Sequence, residues 1–457
     1  MPKKQKSPDT NLPIWFDGKN INEALFCEEF LREHRIIFTN RAFFTPDGRV
    51  TDDLSLRGEI YEELKCCAVN GIPQKIGNIL EVLKLEAQME DFPPEPDRVH
   101  LANGTLLLDG TFIEGRPQIV RNRLPVAYRP DALEPILWFR FLNDLLYPED
   151  IPTLQEFLGY CLIPSNKGQR MMIIKGSGGE GKSQIGAMLG SLFGTNMKDG
   201  SIGKISEDRF ARADLEHILL CVDDDMQMDA LRKTNYVKSI VTAQGKMDLE
   251  RKRTQSYQGW MVARLLAFSN GDLQALYDRS DGFYRRQLVL ATKGKPAGRV
   301  DDPDLAEKLK AEAEGIFLWA FAGLRRLVAN NFKFTESDRI KENREAVKRD
   351  NNNIFSFLES DGYIRLKADA SISSKDLYSI YRMWCDENNL APLKSRSFSD
   401  AVVANANKYS LEHCNNVTNP AGRRVWGFMG IEAVARPDIN GFCGESQRTY
   451  VPGGWDT

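Results

Sequence analysis

The chain has 457 residues, 42% of them hydrophobic and 27% charged, the balance of a soluble globular protein long enough for about three domains. A formal net charge of −3 gives no global pull toward nucleic acid, so such contacts must come from local basic patches or from one patch repeated around an oligomer. No apolar run could span a membrane, MPKKQKSPDTN lacks the apolar stretch of a secretory signal, and the eight cysteines show no CxxC or Cys/His cluster, which argues against zinc and predicts free thiols in a cytoplasmic protein.

In chain order, residues 1–12 read as a disordered tail and 13–97 as a helical, mixed domain that ends at the Pro- and acid-rich break MEDFPPEPD. Residues 98–162 read as a second domain. Thr105 to Leu108 and Thr111 to Ile113 flank Asp109-Gly110, a hairpin signal, and Trp138, Phe141, Leu142 and Leu145 give a helical face. A third segment, 163–335, holds several short apolar strands and ends in an apolar helix around Ile316, Trp319 and Leu324. KENREAVKRDNNN is a charged helix running into a linker. Residues 354–430 predict a small domain of two helices and a hairpin, the layout of a winged helix. Ser373-x-x-Asp376 resembles a capping box, and the two strands, Tyr409–His413 and Arg423–Met429, pair across Asn419-Pro420-Ala421-Gly422. Residues 431–457 read as a polar tail.

Within the third segment, Met171 to Ile174 is a buried-strand run that feeds Gly176, Ser177, Gly178, Gly179, Glu180, Gly181, Lys182 and Ser183. Ile185, Met188, Leu189 and Leu192 then recur at helical spacing. Strand, glycine loop, helix is the context in which G-x-x-x-x-G-K-S binds phosphate: glycines turn backbone N–H groups inward and the helix start adds partial positive charge. Lys182 would reach the β- and γ-phosphates, and Ser183 would offer its hydroxyl to Mg²⁺.

Three later segments narrow the reaction. Ile218 to Val222 is a strand ending in Asp223-Asp224-Asp225, where one carboxylate can hold Mg²⁺ and another can orient water. Spacing leaves the pair open, and Asp224 belongs to either choice. Arg264 to Phe268 is a strand ending in Ser269-Asn270, where Asn270 can sense the γ-phosphate, although Asn-Gly is also an ordinary turn. Asp281-Gly282-Phe283-Tyr284-Arg285-Arg286 precedes a further strand, and an arginine there can meet phosphate charge. Between these strands Arg251, Lys252 and Arg253 sit on a polar segment fit to project and grip a DNA backbone.

The ordered set GSGGEGKS, LLCVDDDM, VKSIVTAQGKMDLERKR, LLAFSN and DGFYRRQLVL resembles superfamily 3 helicases, and more narrowly the helicase part of phage and plasmid primase-helicases. HLANGTLLLDGTF and LQEFLGYCLIP resemble the domain preceding that helicase, and EGIFLWAFAGLRRLV and IFSFLESDGYI its downstream segments. The resemblance spans roughly residues 98–430 and implies an AAA+-like P-loop α/β core with a parallel central sheet. A helical or mixed α+β part would precede that core, and a C-terminal winged helix would follow it.

The resemblance further implies ATP and Mg²⁺ as cofactors, Ser183 and Asp224 on the metal, Asp224 with Asp225 as the acidic pair, Asn270 as sensor and Arg285 or Arg286 as an arginine finger. Lys252 matches the lysine of a DNA-contacting hairpin, with Arg251 and Arg253 beside it. A hexameric ring moving 3′ to 5′ on single-stranded and forked DNA follows, with a primase or origin-binding partner and no membrane. Arg396, Arg423 and Arg424 would be DNA contacts of the winged helix, which also serves in other proteins as a docking module.

Two stretches depart from the family pattern. Ala243-Gln244-Gly245-Lys246-Met247-Asp248 stands where Gly-Asp is common, and Gly271-Asp272-Leu273-Gln274 where a proline often follows the sensor. No primase half is recognisable, so primer synthesis is not expected. An ATP-switched origin-binding initiator shares every motif. A P-loop kinase shares the loop but needs neither the arginines nor a winged helix.

Overall fold

The computed structural model describes residues 12–434 apart from 51, 68–69, 117, 227–230, 232, 272–280, 296–297, 299–300, 351–352, 361, 389, 391 and 420. The chain divides into two units, Met1–Arg344 and Glu345–Thr457.

The first unit opens with α1 (Glu23–Glu33), started by Asn22, whose side chain accepts the Leu25 N–H. Strands β1 (Ile37–Thr39), β2 (Ala42–Thr45) and β3 (Gly48–Arg49) form a small antiparallel sheet. Only Asn40 and Arg41 join β1 to β2, and both have positive φ, +47° and +62°. That turn follows the twist of the strands, but its second position normally takes glycine. Helices α2 (Asp53–Leu64) and α3 (Ile72–Glu86) complete the segment around Trp15, Phe26, Phe30, Ile60 and Ile79.

Next come β4 (Arg98–Leu101), β5 (Gly104–Leu107) and β6 (Phe112–Glu114), an antiparallel sheet whose β5–β6 turn places Gly110 at φ +99°. The helical face of Trp138, Phe141, Leu142 and Leu145 lies on α4 (Ile136–Leu145), and a second helix, α5 (Ile151–Cys161), follows it. Pro148, which lacks an N–H, opens the short turn between them.

The central layer contains β7 (Met171–Lys175), α6 (Lys182–Phe193), β8 (Met197–Asp199), α7 (Ile202–Glu207), α8 (Arg209–Ala213), β9 (Leu220–Asp223), α9 (Asn235–Thr242), β10 (Lys246–Leu249), β11 (Tyr257–Trp260), β12 (Arg264–Ser269), α10 (Asp281–Tyr284) and β13 (Gln287–Ala291). Five of the strands form one parallel sheet in the order β13-β7-β12-β9-β8. Such a sheet is covered on both faces, which is why β7, β9 and β12 read as continuous apolar runs. Each buried side chain such as Ile173 or Leu266 contributes about 1.5–3 kcal/mol. Strands β10 and β11 pair with each other outside this sheet.

Helices α11 (Leu305–Ala311), α12 (Ala313–Ala329) and α13 (Asp338–Asp350) follow. Helices α5 and α12 meet backbone to backbone: a Cβ on Gly159 would lie 2.3 Å from Ala320 O, and one on Gly323 2.4 Å from Gln155 O. Among the described residues no helix is long and apolar enough to cross a membrane.

The second unit comprises α14 (Asn353–Leu358), β14 (Ile364–Ser373), α15 (Ser374–Glu387), α16 (Ser395–Ala404), β15 (Glu412–Thr418) and β16 (Arg424–Ala433). Its sheet is antiparallel, in the order β14-β16-β15, and its core gathers Leu377, Ile380, Tyr381, Trp384, Phe398 and Val402. Ser373 caps α15, its Oγ accepting the Asp376 N–H at 3.0 Å. The hairpin strands lie later than the sequence suggests. Tyr409 closes a 3₁₀ turn that Ser410 ends at φ +54°, so pairing begins at Glu412. Strand β16 runs on through Ala433, into the stretch expected to be tail, while residues 1–11, Pro420 and 435–457 lie outside the described residues.

Candidate functional site

The loop between β7 and α6 is shaped by its glycines. A Cβ at Gly176 would stand 2.3 Å from Thr292 Oγ1, and Gly178, Gly179 and Gly181 hold φ of +105°, +78° and +103°. The Ser177 and Gly178 N–H groups turn inward, and both donate to the carboxylate of Glu180, Gly178 at 2.9 Å. Lys182 Nζ donates to Glu180 Oε2 at 2.9 Å and to Asn270 Oδ1 at 3.2 Å. Glu180 and Lys182 are both buried. The Glu180 carboxylate therefore sits on the donors that a phosphate would use. Burial pushes its pKa up, but the Lys182 hydrogen bond and the loop's backbone donors outweigh this and hold it below the usual value.

Asn270 reaches the loop because β12 lies beside β7 in parallel, Ser269 opposite Lys175. On the other side of β12, β9 ends at Asp223, whose Oδ2 accepts the Ile202 N–H at 2.7 Å and starts α7. Asp223 is buried. Burial raises its carboxyl above the usual range, and the charges of Asp225 and Asp224 add to that rise. Asp224 and Asp225 lie exposed just past the strand. A Cβ at Gly186, one turn into α6, would be 3.8 Å from Asp224 Oδ1, so Asp224 faces the helix that carries Lys182 and the exposed Ser183. Lys182, Asn270 and Asp224 thus gather at the carboxyl ends of three adjacent parallel strands, where open α/β sheets place ligands.

Arg285 and Arg286 do not join them. The register Gln287 opposite Met171 puts both at the amino ends of the strands, one β7 length, roughly 13 Å, from the loop. Arg285 is 60% exposed and lies 3.9 Å from Asp281, whereas half-buried Arg286 donates to Gly282 O.

The β10–β11 hairpin separates its three cations. Arg251 folds back, donating to Tyr257 Oη at 2.7 Å and to Glu216 Oε2 at 3.1 Å. Lys252 and Arg253 are exposed at the tip, Arg253 at φ +63°. In the second unit Arg396 is exposed near the start of α16, and Arg423 and Arg424 are exposed where β15 turns into β16.

A family model described as a family of unknown function (DUF5906) matches residues 174–286, the stretch from the end of β7 to Arg286. The Poxvirus D5 protein-like family model matches residues 349–422. No curated protein matches the chain. Among solved structures, an A form apo structure of the NrS-1 C-terminal region is 14% identical over 73% of this chain and 76% of that one, with a TM-score of 0.49. Two further structures of that region give 11% identity over 89% and 99% with a TM-score of 0.46, and 12% over 90% and 100% with a TM-score of 0.47.

Two features of the loop site, and one of the second unit, are not legible in the motifs. Glu180 stands at a position the loop pattern leaves free, and only its burial shows that it fills the cradle. Asp223 is tied to α7, which no local spacing marks. In the second unit by itself, Trp426, 58% exposed and stacked 4.9 Å from His413, gives an aromatic face beside Arg424. A tryptophan two residues after an arginine pair is a signal the sequence does contain.

Proposed function

We propose that this protein is an ATP-driven DNA helicase of the superfamily 3 kind, a hexameric ring serving replication of a phage, plasmid or other mobile element. The observation that carries the reading is the convergence of Lys182, Asn270 and Asp224 around the glycine loop. The donor set fits a nucleotide: inward N–H groups, a lysine, an exposed hydroxyl on Ser183 and an exposed carboxylate on Asp224. Thr292 Oγ1, buried beside Gly176, has no hydrogen-bond partner among the described residues, which also suits a site completed by a ligand.

In this reading the core is an AAA+-like P-loop fold and the second unit a winged helix. Lys182 neutralises phosphate charge, and Ser183 with Asp224 would hold Mg²⁺, which when bound supplies electrostatic stabilisation of the transferring phosphoryl group. Asp225 and Asn270 position the attacking water. Arg285 or Arg286 of a neighbouring subunit meets the charge that develops. Lys252 and Arg253 contact single-stranded or forked DNA, and movement is 3′ to 5′. Arg396, Arg423 and Arg424 contact duplex DNA. A primase or origin-binding protein is the expected partner.

Lys182→Ala is expected to abolish ATP hydrolysis, and wild-type turnover in that variant would remove the loop from the reaction. Strand displacement on a forked duplex is the decisive assay. A second reading, an ATP-switched initiator, is favoured by the seating of Glu180 on the loop donors, which suits a switch. It requires ATP binding without strand displacement.

A further inference from the structure

The segment before residue 98 has no part in the reading above, yet it builds one wall of a cavity of about 400 Å³. That volume falls within the roughly 300–1,000 Å³ of small-ligand sites. Arg41, from the β1–β2 turn, Arg49, from β3, Lys84, from α3, and Arg251, from the loop that joins β10 to β11, all line it, against one carboxylate, Asp53. Lys84 is paired with Glu81 at 2.6 Å, and Arg251 with Glu216. Arg49 has no ion pair or hydrogen bond from its guanidinium among the described residues, although it is half-buried. Burial, and then the charge of Arg251, pull its pKa below the usual value without discharging it.

Arg41 lies over the Tyr257 ring, its Cζ 4.6 Å from the centroid, and Tyr257 Oη accepts from Arg251 Nε at 2.7 Å. The two guanidinium groups therefore share one aromatic ring, with no carboxylate paired to Arg41. Arg41 also occupies a left-handed turn position that glycine would fill without strain. His217 lines the same cavity and is buried; Arg121 donates to its Nδ1, so its proton sits on Nε2, which lies 3.7 Å from Glu216 Oε1 and makes no hydrogen bond among the described residues. Cations gathered this way repel one another, and an anion relieves the repulsion. Planar guanidinium groups match phosphate oxygens.

We propose that this cavity is a phosphate-binding site for a nucleotide unit, with Arg41, Arg49 and Arg251 as its ligands. The phosphate comes either from a nucleic-acid strand reaching the hairpin loop or from a free nucleotide. The site is separate from the glycine loop and does not depend on hydrolysis there.

The test uses the full chain and two probes, fluorescein-labelled oligo(dT) and inorganic tripolyphosphate, the latter in a Lys182→Ala background so that the loop does not compete. Arg41→Gly and Arg49→Gln are each expected to weaken at least one probe five-fold or more, with the salt dependence of oligonucleotide binding shallower by about one ion. Arg41→Gly removes the guanidinium while relaxing the turn, so its Tm is expected to match or exceed that of the parent, which keeps the result readable if Arg49→Gln folds poorly. Loss of oligonucleotide binding identifies the strand as the source, and loss confined to tripolyphosphate identifies a free nucleotide. Parent-like affinity for both probes in both variants overturns the proposal. Lys252→Gln, measured alongside, reports on the hairpin tip separately, so failure of one site is distinguishable from failure of the other.

Discussion

At the scale of single residues, Glu180 and Lys182 form a buried ion pair that closes the loop on itself. Glu180→Gln keeps the shape but removes the charge that, in our reading, competes with phosphate. ATP affinity is expected to rise about three- to ten-fold, while the ligand-free protein loses about 1–2 kcal/mol because charge-assisted bonds become neutral ones. Isothermal titration and thermal melts would read both, and unchanged or weaker ATP binding would show that Glu180 does not oppose the nucleotide. Because the Glu180 pKa is depressed in the folded state, its contribution is present above the unfolded value near 4.5 and is lost as pH falls through the lower folded value. The melting curve of Glu180→Gln should lack that acidic decline.

The acidic run divides by the same logic. Asp223 has a raised pKa, so its ionisation opposes folding at neutral pH, and this cost disappears at low pH. Asp223→Asn can still accept from Ile202, and its Tm at pH 8 is expected to equal or exceed wild type, with the advantage fading toward pH 4. Asp224→Asn should leave Tm unchanged and reduce ATP hydrolysis at least a hundred-fold. Equal hydrolysis by the two variants would show that the division between these carboxylates is wrong.

At the scale of elements, the hairpin sets one arginine paired with buried Glu216 beside two exposed cations. Arg251→Gln leaves the buried Glu216 carboxylate with less compensation and is expected to destabilise by about 2 kcal/mol, discounted because Arg251 itself is partly exposed. Lys252→Gln should cost almost no stability and should lower the ratio of DNA-stimulated to DNA-free ATP hydrolysis several-fold. If both variants melt alike, the difference in their environments has no energetic weight.

Sequence periodicity exposes the central strands because β7, β9 and β12 are buried on both faces and carry unbroken apolar runs. It exposes the β5–β6 hairpin because Asp109-Gly110 states its turn chemistry, and the start of α15 because Ser373 and Asp376 cap it. It does not expose β14, whose burial pattern leaves most of its residues solvated and without a clean alternation. Nor does it mark Gly159 and Gly323 as the contact between α5 and α12, since that contact joins residues far apart in the chain. The loop itself is legible, but the direction in which Glu180 points depends on packing against Lys182 and Gly178.

At the scale of the whole molecule, the second unit has its own core and its own three-stranded antiparallel sheet. A fragment of residues 345–434 is expected to fold alone with one cooperative melt. In our reading it binds duplex DNA at low salt, and Arg423→Ala with Arg424→Ala weakens that binding five-fold or more. A folded fragment that binds no duplex would instead mark this unit as a protein-docking module.

The placement of Arg285 and Arg286 at the amino ends of the strands, with the loop at the carboxyl ends, has a consequence for heterogeneous populations. No copy can bring its own arginines to its own loop, so if, as proposed above, a neighbour's arginine completes the site, two individually inert preparations are expected to rescue one another. Equimolar Lys182→Ala and Arg285→Ala/Arg286→Ala chains, mixed and allowed to exchange, would create intact junctions at about a quarter of contacts by random pairing. Turnover emerging from that blend, where neither ingredient shows any, would mean that catalytic competence here is a property of neighbours.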